Sequence, residues 1–213
     1  MKKFITTSPL QERLSCVQYV AIDNDALQFD QPTCFPVIPL LNAYVKEGEE
    51  IELIVLCHKG HVDRYGEYKD PSGRNYKMLL EELEALQEKN NFQCKVQKIE
   101  LEYDECIREH LKNFQNLIEK IEDGDELYAC MSYGTKAVPI IEMMALNYAY
   151  RAKFNTHIGC IVYGATIFDK ESKITDAKIY DMTPLFYMDE IVRKVADMKI
   201  EEPLETIRQV LEL

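Results

Sequence analysis

The sequence predicts a doubly wound α/β fold, with a mainly parallel sheet, helices on both faces and a C-terminal β-hairpin. Three observations carry that expectation. Apolar strand-like runs alternate with longer helical runs from Phe4 to about Met198. Leu53 to Cys57 is an unbroken apolar run, as expected of a central parallel strand covered on both faces. Loops carrying hydroxyl, glycine and basic residues follow several strands, at the end where ligand crevices of open α/β sheets lie.

The elements follow in order. Lys3 to Thr7 reads as the first strand, leaving into Thr6-Thr7-Ser8-Pro9, and Val17 to Ile22 with Ala26 to Phe29 reads as a hairpin across Asp23-Asn24-Asp25. A helix from about Thr33 to Lys46 precedes the strand Ile51 to Cys57, which ends in the loop His58-Lys59-Gly60-His61. Next come a helix from about Arg74 to Lys89, a strand from Gln93 to Leu101 and a helix from about Glu105 to Ile121. The strand Glu126 to Cys130 then feeds the helix Ala137 to Tyr150. His157 to Tyr163 and Ile174 to Tyr180, separated by the polar Asp169-Lys170-Glu171-Ser172, read as an antiparallel hairpin. Two helices close the chain; Leu204, Ile207 and Leu211 form one stripe on the last, which should pack against something. Right-handed crossovers between these elements build a Rossmann-like sheet.

At 213 residues and 46% apolar composition, the chain is expected to form one large domain, 1–199, with a short C-terminal helix, 200–213, whose partner is this domain, a second subunit or another domain. A net charge of −12 argues against extended binding to duplex nucleic acid, which needs a broad basic footprint, but leaves a small nucleotide possible. No apolar stretch is long enough for a bilayer span and the N-terminus lacks a signal-peptide core, so no membrane partner and a cytoplasmic location are expected. The seven cysteines, several in apolar runs (Cys57, Cys130, Cys160), read as reduced core thiols rather than a disulfide framework. His58 and His61, near Cys57 and Asp63, lack a second ligand group at recognisable spacing, and neither a metal nor a cofactor is expected.

The most informative segment is Met131-Ser132-Tyr133-Gly134-Thr135-Lys136, a polar strand exit running into an apolar helix with Pro139 in its first turn. Free N–H groups at the helix start, the Ser132 and Thr135 hydroxyls and the Lys136 ammonium are the donors a phosphate needs. An ordinary helix start with one solvated lysine is the plainer alternative. Thr6, Thr7 and Ser8 at the first strand's exit, and His58, Lys59 and Gly60 at another, complete the candidate ligand-binding set, with ordinary turn and solvated-loop roles as their alternatives.

Ser132 to Arg151, then Ile161-Val162-Tyr163-Gly164-Ala165, then Tyr180-Asp181-Met182-Thr183-Pro184-Leu185, resemble in order and approximate spacing the CRISPR-associated Rossmann-fold (CARF) family, nearest its D-x-T-H-G-x-R branch. Gly134 keeps its place in that motif. Cys130 stands for Asp, Ser132 and Tyr133 for Thr and His, and Lys136 for Arg. The resemblance implies a homodimer holding one cyclic oligoadenylate, the second messenger of type III CRISPR antiviral signalling, across its two-fold axis. It also implies a fused or separate effector to be switched.

The first function expected is therefore a ligand sensor. The alternative is a stand-alone ring nuclease working without metal: a ribose 2′-hydroxyl attacks the adjacent phosphate and leaves a 2′,3′-cyclic phosphate. Lys136 would stabilise the phosphoryl oxygens there, and Thr7 or Ser8 would orient the hydroxyl. A dinucleotide-dependent oxidoreductase is the remote third, since the first strand leaves into Thr-Thr-Ser-Pro rather than G-x-G-x-x-G.

Overall fold

The computed structural model describes residues 1–170, 174–199 and 201–211, which form two compact units, Met1–Asp181 and Met182–Leu213. The first unit is built on strands β1 (Lys2–Thr7), β2 (Val20–Ala21), β3 (Glu50–His58), β6 (Gln93–Leu101), β7 (Glu126–Cys130), β8 (His157–Phe168) and β9 (Ile174–Asp181). Among the described residues these make a seven-stranded sheet in the order β2-β9-β8-β7-β1-β3-β6. A separate small antiparallel pair, β4 (His61–Val62) and β5 (Tyr68–Lys69), follows β3. Five neighbours, β6, β3, β1, β7 and β8, run parallel, while β9 returns antiparallel to β8. The expected doubly wound sheet and C-terminal hairpin are both present.

Burial follows position in the sheet. β1 and β3 are central and bury nearly every residue, Phe4, Ile5, Leu53, Ile54 and Val55 among them. β6 lies at an edge and alternates polar side chains outward, with Lys95 among the exposed ones, which discourages further strand pairing. Helices α1 (Val37–Tyr44), α2 (Pro71–Asn90), α3 (Ile107–Ile118) and α4 (Val138–Ala152) connect these strands. Asp70 starts α2 three residues before Pro71-Ser72-Gly73 ends, accepting a hydrogen bond from the Gly73 N–H at 2.8 Å.

The expected hairpin over Val17 to Phe29 is not formed. Asn24 accepts a hydrogen bond from the Ala26 N–H at 3.1 Å and caps a 3₁₀ turn, Asp25–Leu27, while its Nδ2 donates to Tyr44 Oη and Asp181 Oδ2. Val20–Ala21 pairs instead with β9, in parallel. The helix expected from Thr33 starts only at Val37. Thr33 exchanges backbone hydrogen bonds with Val17, and Phe35 precedes a proline, which disfavours helical backbone there. That same contact corrects the expectation of reduced thiols, because it brings Cys16 and Cys34 together as a disulfide; Cys57, Cys94, Cys106, Cys130 and Cys160 form no disulfide.

The second unit holds α5 (Thr183–Asp197) and α6 (Pro203–Leu211). On α6, Leu204 stays largely exposed while Ile207 is half-buried, so the stripe expected to pack is covered in part.

Candidate functional site at the switch between β1 and β7

β1 is flanked by β3 on one side and β7 on the other, so the chain winds outward in opposite directions from it. A crevice between two such strands opens at their carboxyl ends. The exits of β1 and β7 are Thr7-Ser8 and Met131 to Ala137, which places the two leading candidate segments side by side. A Cβ placed on Gly134 would lie 3.1 Å from both Thr7 Cγ2 and Val138 Cβ, and Gly134 has φ of +107°, a conformation that L side chains rarely adopt.

The loop after β7 is pinned at several points. Met131 N–H donates to the Val162 carbonyl (2.9 Å), and Ser132 Oγ accepts from the Gly164 N–H (2.7 Å). Tyr133 Oη donates to the Cys34 carbonyl (2.8 Å), and burial pushes its phenol far above the ordinary value. Thr135 closes the turn by accepting from the Val138 N–H at 3.1 Å. Lys136 is different. It is exposed, and it makes no hydrogen bond or ion pair with any of the described residues.

At the β1 exit the hydroxyls point inward. Thr6, Thr7 and Ser8 are all buried; Thr7 Oγ1 donates to Glu142 Oε1 (3.0 Å) and Ser8 Oγ to the Ser72 carbonyl (2.7 Å). Ser72 Oγ in turn accepts from the His58 N–H at 3.1 Å, linking the exits of β1 and β3 through the start of α2. His58 is buried with Nδ1 unpartnered, and burial pushes it below its ordinary pKa against the opposing charge of Glu105. Lys59 turns aside to Glu102 (2.6 Å), and Gly60 lies against the Tyr68 ring, so these two are drawn outward from the β1–β7 exits.

Sequence reasoning missed two residues. Glu142, in sequence a lone acid within an apolar helix, is fully buried on α4 beneath this loop. Burial pushes its carboxyl up to about 8 against the hydrogen bond from Thr7, and its Oε2 has no partner. It is therefore a neutral acid at neutral pH. Arg13, on the segment after β1, joins Tyr19, Tyr133 and Thr166 in lining a cavity of about 100 Å³. A larger cavity, about 480 Å³, lies at the opposite end of the sheet near Glu50, Glu52 and Lys95, away from the strand exits.

No protein-family model matches the chain. The chain is similar to CRISPR-associated protein MJ1674 of Methanocaldococcus jannaschii, with 29% identity over 100 residues, 47% of this chain. The match spans 15% of that protein's length. This similarity supports a relationship to CRISPR-associated proteins. No helix of the described residues is long and apolar enough to cross a membrane.

Proposed function

We propose that this chain is a CRISPR-associated sensor module that binds a cyclic oligoadenylate as a homodimer. The observation that carries the reading is an exposed, unpartnered Lys136 in a polar loop that opens α4 at the switch between β1 and β7. Polyanions are held by such helix starts together with a cation. The archaeal relative's CRISPR association supports the same setting over the region that aligns.

A shared ligand fits the surface beside the loop. Ile140 and Met144 on α4 are 62% and 49% exposed, and Ile107 and Leu111 on α3 are exposed as well. Phe114 and Tyr148 meet edge to face between the two helices, with centroids 6.3 Å apart. Lys136 lies one turn before Ile140. Pairing this apolar face with its copy about a two-fold axis would bring two lysines to one ring-shaped ligand and hide the stripe from water.

The inward bonding of Thr7 and Ser8 favours binding over cleavage, since neither hydroxyl is offered to a ligand. Calorimetry with cyclic tri-, tetra- and hexa-adenylate, with NAD as the control, should find one ring bound per two chains and no NAD binding. One ring per chain, or a monomer by light scattering at saturation, would overturn the shared-site reading. Chromatography of the recovered ligand should return intact rings. Linear fragments ending in 2′,3′-cyclic phosphate, formed in EDTA, would move the conclusion to the ring nuclease.

A further inference from the structure

The Cys16–Cys34 pair stands apart from Cys57, Cys94 and Cys130. Burial pushes the Cys57 and Cys94 thiols up to about 12 and Cys130 up to about 11, so these sulfurs carry almost no thiolate and are chemically quiet. Cys16 is exposed on the segment after β1, while Cys34 is buried at the approach to α1. The sulfur bond can therefore be reached from one side.

The two segments it joins also frame the candidate site. Val17 and Thr33, each beside one of the cysteines, exchange backbone hydrogen bonds of 3.1 and 2.9 Å. Tyr133, in the loop after β7, donates its hydroxyl to the Cys34 carbonyl at 2.8 Å and lines one small cavity together with Tyr19, three residues past Cys16. One phenol is thus bonded to the Cys34 segment and faces the Cys16 segment across that cavity. Glu82 holds the Cys34 side separately, accepting from the Cys34 N–H at 3.2 Å and from the Thr33 hydroxyl. Freedom gained on breaking the sulfur bond accordingly falls on the Cys16 segment and on Tyr19.

We propose that Cys16–Cys34 is a thiol–disulfide exchange site through which a soluble thiol/disulfide couple tightens or loosens the cover over the Ser132–Lys136 loop. A reductant thiolate attacks the exposed Cys16 sulfur, the Cys16–Cys34 bond breaks, and Cys34 leaves with the bonding pair and takes a proton. A second reductant thiolate then attacks the reductant sulfur of the mixed disulfide and releases Cys16, which takes a proton. The two electrons come from the two reductant sulfurs, which end bonded to each other, and the reverse sequence re-forms the clamp. Intracellular disulfides of ordinary organisms commonly serve such transient roles.

Coupling between clamp and loop is reciprocal, so it can be read without any ligand. The full chain is equilibrated with graded ratios of reduced to oxidised glutathione, quenched by alkylation and analysed by peptide mass spectrometry. Wild type should give a single equilibrium between the Cys16–Cys34 disulfide and the dithiol. Tyr133→Phe, which deletes only the hydroxyl bonded to Cys34, should shift that equilibrium about fivefold toward the dithiol, the factor expected for one hydrogen bond of ordinary strength. The remote Tyr76→Phe should leave it in place. Failure to form the disulfide at any glutathione ratio would overturn the exchange site. An unchanged equilibrium in Tyr133→Phe, with circular dichroism matching wild type, would overturn its coupling to the loop.

Discussion

The two ends of the central strand β1 are built on opposite principles. At its start, Lys3 is buried and saturated: Nζ lies 3.0 Å from Asp125 and 3.5 Å from Glu52 and donates to the Lys120 carbonyl at 2.7 Å. Burial pushes Glu52 up, but the hydrogen bond from Lys95 and the charges of Lys3 and Lys95 outweigh it and hold the carboxyl below its ordinary value. At the other end, Glu142 is buried without any cation and keeps its proton, His58 has an unpartnered nitrogen, and Lys136 stands free in solvent. Acid and base are matched where the strand begins and kept apart where it ends. Matching secures the fold. Separation leaves interactions unmade, which is the condition for a ligand to supply them.

The comparison breaks most visibly at Lys3. Lys3→Ala removes the buried cation shared by Asp125 and Glu52, leaves them only the more exposed Met1 and Lys95 ammonium groups, and should cost up to about 3–5 kcal/mol of stability, measured by denaturant unfolding. A loss below about 1 kcal/mol would mean that water already screens this end, as it does at exposed ion pairs.

Glu142→Gln probes the other end through pH. The unfolded carboxyl ionises near its ordinary 4.5, whereas the native one holds its proton up to about 8. The native state therefore binds more protons across that window. The contribution is fully present below about 4.5 and is lost as pH rises toward 8. The stability of Glu142→Gln relative to wild type should rise by a few kcal/mol between those limits. Parallel stability–pH curves for the two proteins would show that Glu142 ionises normally.

Gly134→Ala should be milder, costing about 1–3 kcal/mol because the loop holds a conformation that alanine resists, and because the new methyl crowds Thr7 and Val138. Thermal unfolding measures this, and an unchanged midpoint would mean the loop relaxes without strain. Smallest for the fold is Lys136→Ala. Its melting temperature should match wild type while cyclic oligoadenylate affinity falls about ten- to a hundredfold, the range of a charge-assisted hydrogen bond. Unchanged affinity with intact folding would make Lys136 a solvated helix start.

The parts of this arrangement that local pattern controls were legible in the sequence. The strands Gln93–Leu101 and Glu126–Cys130 have the bounds their sequence patterns predict, and the alternation of strand and helix placed both loops at strand exits. What was not legible depends on partners far along the chain. Thr7 and Glu142 are 135 residues apart, and nothing in an apolar helix announces which strand its single acid will face. Lys59 and Lys136 look alike in sequence, yet Lys59 is taken by Glu102, 43 residues on. The Val17–Phe29 segment misled for the same reason: its apolar residues suggested a hairpin, but Asn24 finds Asp181 across 157 residues and redirects the backbone.

Gly164 bears on how stiff the candidate site is. A Cβ there would lie 2.3 Å from Pro36, so the middle of β8 presses its bare backbone against the residue that caps the start of α1. The same residue donates its N–H to Ser132 Oγ and sits opposite Ile179 in the β8–β9 ladder. Loop, helix start and hairpin thus share one joint with no slack. Any displacement of Ser132 beyond hydrogen-bonding distance strands the Gly164 N–H unless β8 travels with it, and β9 is laced to β8. The loop after β7 is geared to the hairpin: motion at one is transmitted to the other as a nearly rigid linkage.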